Sequence, residues 1–339
     1  MKRSLIDRRH LLRTGGAILA GTASGLFSPA LAQGGAGLSR TTDVVRVGYG
    51  RGGLTLVAKE RGAFEARLAQ QGIRVEWVGP FPNHAPSMQA VVGGSADFGF
   101  WGSTTPALAA MLAGSPLVFN SFNIYAPRST SIIVKKTSGI DSVADLKGRS
   151  VAVNRSGLGE FLLVAALEQN GVDRDQVNVV YLNPPDAGPA FAQDKVDAWS
   201  MWSPAVDISR FENDAKDIFN EGRDLEFLID FASLVTRREF SERNSELVRA
   251  VLDAYSAEGA WQTGNPQESE AIAQAEAGYA DEVRDYLAGL ARVNRFHEPD
   301  DADFMVGFQR AADWLADRKI IRSRIDVAEV SVKIPGGAA

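Results

Sequence analysis

The sequence predicts an α/β protein of two similar lobes, each a β-sheet flanked by helices, with a cleft between them. Three observations carry this. From Asp43 onward, short β-branched runs alternate with glycine-bearing loops and with apolar residues at helical spacing. The same rhythm resumes after residue 128. From 239 to 319 the pattern turns almost wholly helical. At 339 residues, 45% hydrophobic and 23% charged, the chain is long enough for two cores.

Taken in order, Val44-Val45-Arg46-Val47-Gly48 reads as a strand and Gly50-Arg51-Gly52-Gly53 as its loop. Leu54, Val57, Ala58, Phe64 and Leu68 then share one face of a helix over 54–70, which Gly72 stops. Residues 73–78 alternate like a strand. A Pro/Gly-rich loop over 79–86 leads into a short helix over 86–92, closed by Gly93-Gly94. Residues 97–100 read as a third strand, and Pro106 fits the first turn of the next helix. A longer strand over 117–125 leaves this lobe, and 131–134 begins the next. There, strands over 150–153, 177–182 and 196–201 alternate with helices over 143–148, 156–170 and 186–194. Residues 225–234 read as the returning strand. The domain reading is thus 43–127 plus 231–329 for the first lobe and 128–230 for the second, with a tail over 330–339.

Residues 1–32 read as an export leader. Lys2, Arg3, Arg8, Arg9 and Arg13 precede a small apolar stretch over 15–27, and Ala30-Leu31-Ala32 offers a small-x-small cleavage site. The apolar run is too short for a spanning helix. Asp7-Arg8-Arg9-His10-Leu11-Leu12-Arg13 matches the twin-arginine pattern, with Leu11 at its usual aromatic position. An ordinary secretory signal with a chance arginine pair is the alternative. Cleavage leaves 31 Lys and Arg against 41 Asp and Glu, a formal net charge of −10. Such a chain, with no basic run, is a poor partner for nucleic acid or anionic lipid. Residues 33–42 read as a flexible tail. The absence of cysteine excludes disulfides, thiolate metal sites, cysteine nucleophiles and a lipid anchor on cysteine.

In open α/β sheets ligands sit beyond the carboxyl ends of the strands, so the loops there are the candidate site. Arg51 and Gly52 occupy the first. Arg51 either pairs with an anionic ligand or is simply solvated, and the glycine spacing is not that of a dinucleotide fingerprint. Asn83 and His84 lie in the second, as ligand contacts or, for Asn83, as a helix cap. Trp101, Ser103 and Thr104 form the third. Hydroxyls beside free N–H groups at a helix start make an anion-friendly corner, with a capped but empty helix start as the alternative. Ser156, Gly157, Leu158 and Gly159 repeat that design in the second lobe. Trp202 and Ser203 follow a strand end. Trp199 and Met201 share one face of that strand, while Trp202 is read as the apolar wall of the cleft. No nucleophile elbow, zinc-protease helix or calcium loop is present.

These segments resemble a known family. Leu54-Thr55-Leu56-Val57-Ala58-Lys59-Glu60-Arg61-Gly62, Gly94-Ser95-Ala96-Asp97-Phe98-Gly99, Asp145-Leu146-Lys147-Gly148-Arg149-Ser150-Val151-Ala152 and Val196-Asp197-Ala198-Trp199-Ser200-Met201-Trp202-Ser203-Pro204 occur in the order and spacing of the substrate-binding proteins of ABC importers for aliphatic sulfonates, taurine and nitrate. The resemblance spans about 44–325. It implies a two-lobed periplasmic-binding-protein fold of type II that captures a small organic anion, most of all an aliphatic or aryl sulfonate. It also implies a monomer in the periplasm that delivers the ligand to an ABC permease and its ATPase, without cofactor, metal or catalysis. Nitrate, an aromatic carboxylate or a pyrimidine, or a sensing role, are the alternatives. Enzymes on the same fold rely on cysteine.

The sequence departs from the family at three places. Asn83-His84-Ala85-Pro86 replaces Gly-Gly-Pro, and Ser103 and Ser203 stand where the family carries acids. Fewer carboxylates imply a cleft kinder to an anion and poorer for an ammonium, hence a ligand other than taurine.

Overall fold

The computed structural model describes residues 38–336. The leader, its arginine pair and its cleavage site lie outside the described residues, as do 33–37 and 337–339. Among the described residues eleven strands form two layers. In the first, β1 (Val44–Gly50) and β2 (Arg74–Phe81) pair in parallel. Beside them, β3 (Gly102–Ser103), β4 (Leu117–Ala126), β10 (Ala232–Arg237) and β11 (Val293–His297) run in the order β11-β4-β10-β3. The second layer runs β7-β6-β8-β5-β9, built from β5 (Ser131–Lys135), β6 (Ser150–Val153), β7 (Asn178–Tyr181), β8 (Ala198–Met201) and β9 (Ala215–Asn220). The chain passes between layers twice, over 127–130 and 221–231.

The parallel pairs need crossovers, and amphipathic helices supply them. Val45 and Val47 of β1 are fully buried, and the crossover back to β2 lays Leu54, Ala58, Phe64 and Leu68 over them. The predicted helix over 54–70 is in fact two, Gly53–Arg61 and Ala63–Ala69. Gly62 adopts φ 67° and breaks them, a conformation that costs glycine nothing. The opposite face of the first sheet packs on helix Ala302–Asp317, whose Phe304 and Phe308 stack with Phe119, Phe122 and Phe231. In the second layer β6 pairs in parallel with β7 and β8, while β5 is antiparallel to β8 and β9. Phe161 and Ala165, on helix Leu158–Gln169, join the first layer's aromatic cluster.

Several elements differ from expectation. Residues 97–100 form no ladder. Phe98 alone bridges Val47 and Thr236, which stitches β1 to β10. The returning strand begins at Ala232 rather than 225, and Asp230, just before it, is held by hydroxyl partners. β9 and β11 escaped notice because both mix charged and polar residues with few β-branched ones. Neither expected tail is loose where described. Ser39 and Thr41 hydrogen-bond Ser245 and Asn244. Val330 and Val332 flank Phe119 with two backbone bonds, and Ile334 is 1% exposed.

Candidate functional site

At the end of the first sheet, Ser103 leads into helix Thr104–Leu112. The corner of hydroxyls and N–H groups expected to hold an anion does hold one, and it is the chain's own. One oxygen of Asp230 accepts from Ser103 Oγ at 2.7 Å, Thr104 Oγ1 at 2.9 Å, and the N–H and Oγ1 of Thr105, each at 3.0 Å. Asp230 is 2% exposed, and burial pushes its carboxyl above the usual value against these donors and the nearby Arg128. Ser103 and Thr104 are therefore already engaged, because a buried carboxylate recruits every donor within reach. Arg128, on the first crossing, donates to the Asp230 carbonyl at 3.2 Å and to Glu221 at 2.7 Å.

Asn83 is a helix cap: its side chain accepts from the Ala85 N–H at 3.1 Å. His84 is buried. Its Nδ1 donates to the Ser103 carbonyl at 2.8 Å, which fixes Nε2 as the acceptor nitrogen, and Nε2 is buried without a partner among the described residues. Burial pulls the imidazole down to about 4, outweighing the carbonyl contact, so the ring is neutral near pH 7. A Cβ on Gly102 would stand 2.2 Å from the ring, so the close approach requires glycine. Trp101 packs edge-on against Tyr255 and Phe296, with its indole N–H buried and unpartnered. Arg51 is exposed and lies 3.5 Å from Glu276, and Gly52 opens its helix in extended backbone with open space around it.

In the second layer the loop after β6 turns through Ser156 into helix Leu158–Gln169. Gly157 has no room for a side chain against Asn154, and a Cβ on Gly159 would lie 2.2 Å from the Ser200 carbonyl. The helix start thus rides directly on β8. Here too the chain brings its own acid, since Glu160 accepts from the Ser156 N–H at 2.6 Å and from Tyr181 at 2.8 Å. Leu158 packs towards the aromatic cluster of the first layer. Trp199 and Met201 share one core, as the alternation predicted. Trp202 is half-buried against that core too.

Ser203 supplies a contact the sequence did not suggest: its Oγ accepts from Arg292 at 3.1 Å. Arg292 immediately precedes β11, in the other layer, and also donates to Ser129 Oγ at 3.1 Å. The structure thus joins His84, Ser103 and Thr104 in one group and places Ser156–Gly159 against β8. It leaves Arg51 and Gly52 outside both. Asp230 and Arg292 were missed. A lone acid inside the apolar run Leu228-Ile229-Asp230-Phe231 was the available signal for the first, and no motif marks the second.

Among the described residues no cluster of acids and histidines could hold a metal, and no helix is long and apolar enough to cross a membrane. A groove of about 810 Å³, bordered by Glu168, Phe227, Arg310 and Arg318, lies at the far end of helix Leu158–Gln169 from its glycine-rich start.

The sequence profile of the family described as NMT1/THI5 like matches residues 53–269, well over half of the chain. The chain belongs to the NMT1/THI5-like family. Among NMT1/THI5-like and related proteins, one from Escherichia coli K12, named for binding aliphatic sulfonates, is 28% identical over 85% of this chain and 88% of its own. The crystal structure of the periplasmic aliphatic sulphonate binding protein SsuA from Escherichia coli superposes with TM-score 0.75 at 25% identity, covering 88% of this chain and 96% of that one. The alkanesulfonate-binding protein SsuA from Xanthomonas axonopodis pv. citri, bound to MOPS, gives 0.77 at 24% over 87% and 100%. Its likeness shows the fold, that of the periplasmic binding proteins.

Proposed function

We propose that this protein is an exported solute-binding protein that captures a small organic anion, an aliphatic or aryl sulfonate, and delivers it to an ABC permease. The observation that carries the reading is the chain-long likeness to the SsuA of Escherichia coli, a periplasmic sulphonate-binding protein. The topology suits it. Two lobes, 43–127 plus 231–329 and 128–230, joined by two crossings, form a clamp that closes by hinge motion. The leader, cleaved near Ala32, takes the chain to the periplasm, by the twin-arginine route. The ligand leaves chemically unchanged.

Thermal shift of the protein against alkyl and aryl sulfonates, taurine, nitrate, sulfate, aromatic carboxylates and pyrimidines tests this. Ligand at 100 times its Kd adds about 2.7 kcal/mol, on the order of 5 °C for a chain of this size. A shift with sulfonates supports the reading. A shift only with another class keeps the clamp and overturns the substrate. Ser203 stands where the resemblance expects an acid, so ethanesulfonate should bind better than taurine. Equal affinity would sink that preference.

A further inference from the structure

Two arginines among the described residues are more than nine-tenths buried. Arg249, 8% exposed, is ion-paired with Glu298 at 2.8 Å and with Asp253 at 2.9 Å. Arg292, 7% exposed, has no carboxylate within ion-pairing distance. Its guanidinium donates to two neutral hydroxyls, Ser129 Oγ and Ser203 Oγ, lies over the Tyr125 ring at 4.9 Å, and keeps Nε buried without a partner. A buried charge is costly unless an opposite charge meets it. Two carboxylates feel its field without reaching it. Asp207 pairs with Arg210 through Oδ1 and keeps Oδ2 buried without a partner among the described residues, and Glu270 accepts from the Tyr279 hydroxyl at 3.3 Å.

Position adds a second, independent argument. Arg292 precedes a strand of the first layer, whereas Ser203 follows a strand of the second and Ser129 sits on the crossing between them. The cation therefore stands where the two layers meet, beside the Trp202-Ser203 loop. The hydroxyl corner at Thr104 is closed to any external anion by Asp230, and at the other helix start the Ser156 N–H is already taken by Glu160, which is itself paired with Arg174.

We propose that Arg292 is the residue that binds the ligand's oxyanion, with Ser129 and Ser203 beside it, and that it selects a monoanion. This rests on the ligand-capture reading above. One guanidinium pairs with one charge, and Asp207 and Glu270 already lie in its field, so a sulfonate monoanion is matched by Arg292 while a second negative charge has no cation to meet it. A sulfate dianion leaves one uncompensated, and a neutral sulfonamide leaves the arginine unpaired.

Calorimetric titration of the wild-type protein with propane-1-sulfonate, sulfate and propane-1-sulfonamide tests this, alongside R292Q, R292K and S203A. Wild type should bind the sulfonate and discriminate against both analogues. R292Q should weaken sulfonate binding about 10- to 100-fold, the range of a hydrogen bond to a charged group, and lose the discrimination against the sulfonamide. If R292Q does not fold, R292K keeps the charge but loses the fork, and should still weaken sulfonate binding about 10-fold. Sulfonate binding by wild type with unchanged affinity in R292K and S203A, and in R292Q if it folds, overturns this assignment and leaves the capture function standing. Failure of wild type to bind any sulfonate overturns the substrate reading, and this assignment with it.

Discussion

His84 shows how burial converts a common residue into a pH-dependent liability. The folded ring titrates near 4 and the unfolded one near 6.5, so as pH falls through that interval the unfolded chain takes up the proton first. Stability held above pH 6.5 is lost towards pH 4, by up to about 3 kcal/mol. Urea denaturation of wild type and H84Q at pH 7 and pH 4.5 measures this. The wild type should lose more stability between the two than H84Q. Equal losses would show that His84 does not carry the dependence. The residue scale is also where sequence reading was least complete. Ser103 and Thr104 were read as hydroxyls at a helix start facing a ligand, but the acceptor they meet in the fold, Asp230, is 126 residues from Thr104. Nothing local in the chain names a partner so distant.

At the scale of elements, the start of helix Leu158–Gln169 is the tightest joint in the second layer. A methyl on Gly159 would meet the Ser200 carbonyl at 2.2 Å and Asn154 Oδ1 at 3.1 Å. The neighbour is backbone, held in β8 by pairing to β5, so it cannot swing aside. G159A should therefore cost about 1–3 kcal/mol, as overpacking does, despite alanine's better helix propensity. A midpoint of denaturation unchanged from wild type would mean the helix start can lift off the strand. Glycines marked this loop in the sequence, yet their reason is steric: they let a helix lie against a strand. Among the strands that were legible, β6 and β8 are almost wholly buried and β1 buries alternate residues such as Val45 and Val47, and all three are rich in β-branched or apolar residues. β9 and β11 were not, because pairing partners rather than their own composition hold them.

The whole molecule is fastened at both described ends. The backbone of Val330 and Val332 brackets Phe119 on β4, and Ile334 is buried beneath. Removing residues 330–339 should cost about 3 kcal/mol, from one buried aliphatic side chain and two backbone hydrogen bonds. Thermal denaturation of the truncated chain checks this, and an unchanged Tm would show that the segment only rests on the sheet. By itself the sequence determined the alternation of strand and helix, the division into two sheets and the family, because period and glycine spacing are local properties that long-range contacts need only confirm. Only the tertiary structure decided which donors remain for a ligand. It filled the Thr104 corner with Asp230, set Arg51 against Glu276, and left Arg292 buried without an anion at the meeting of the two sheets. Burial and charge balance are sums over neighbours that the chain brings together only when folded.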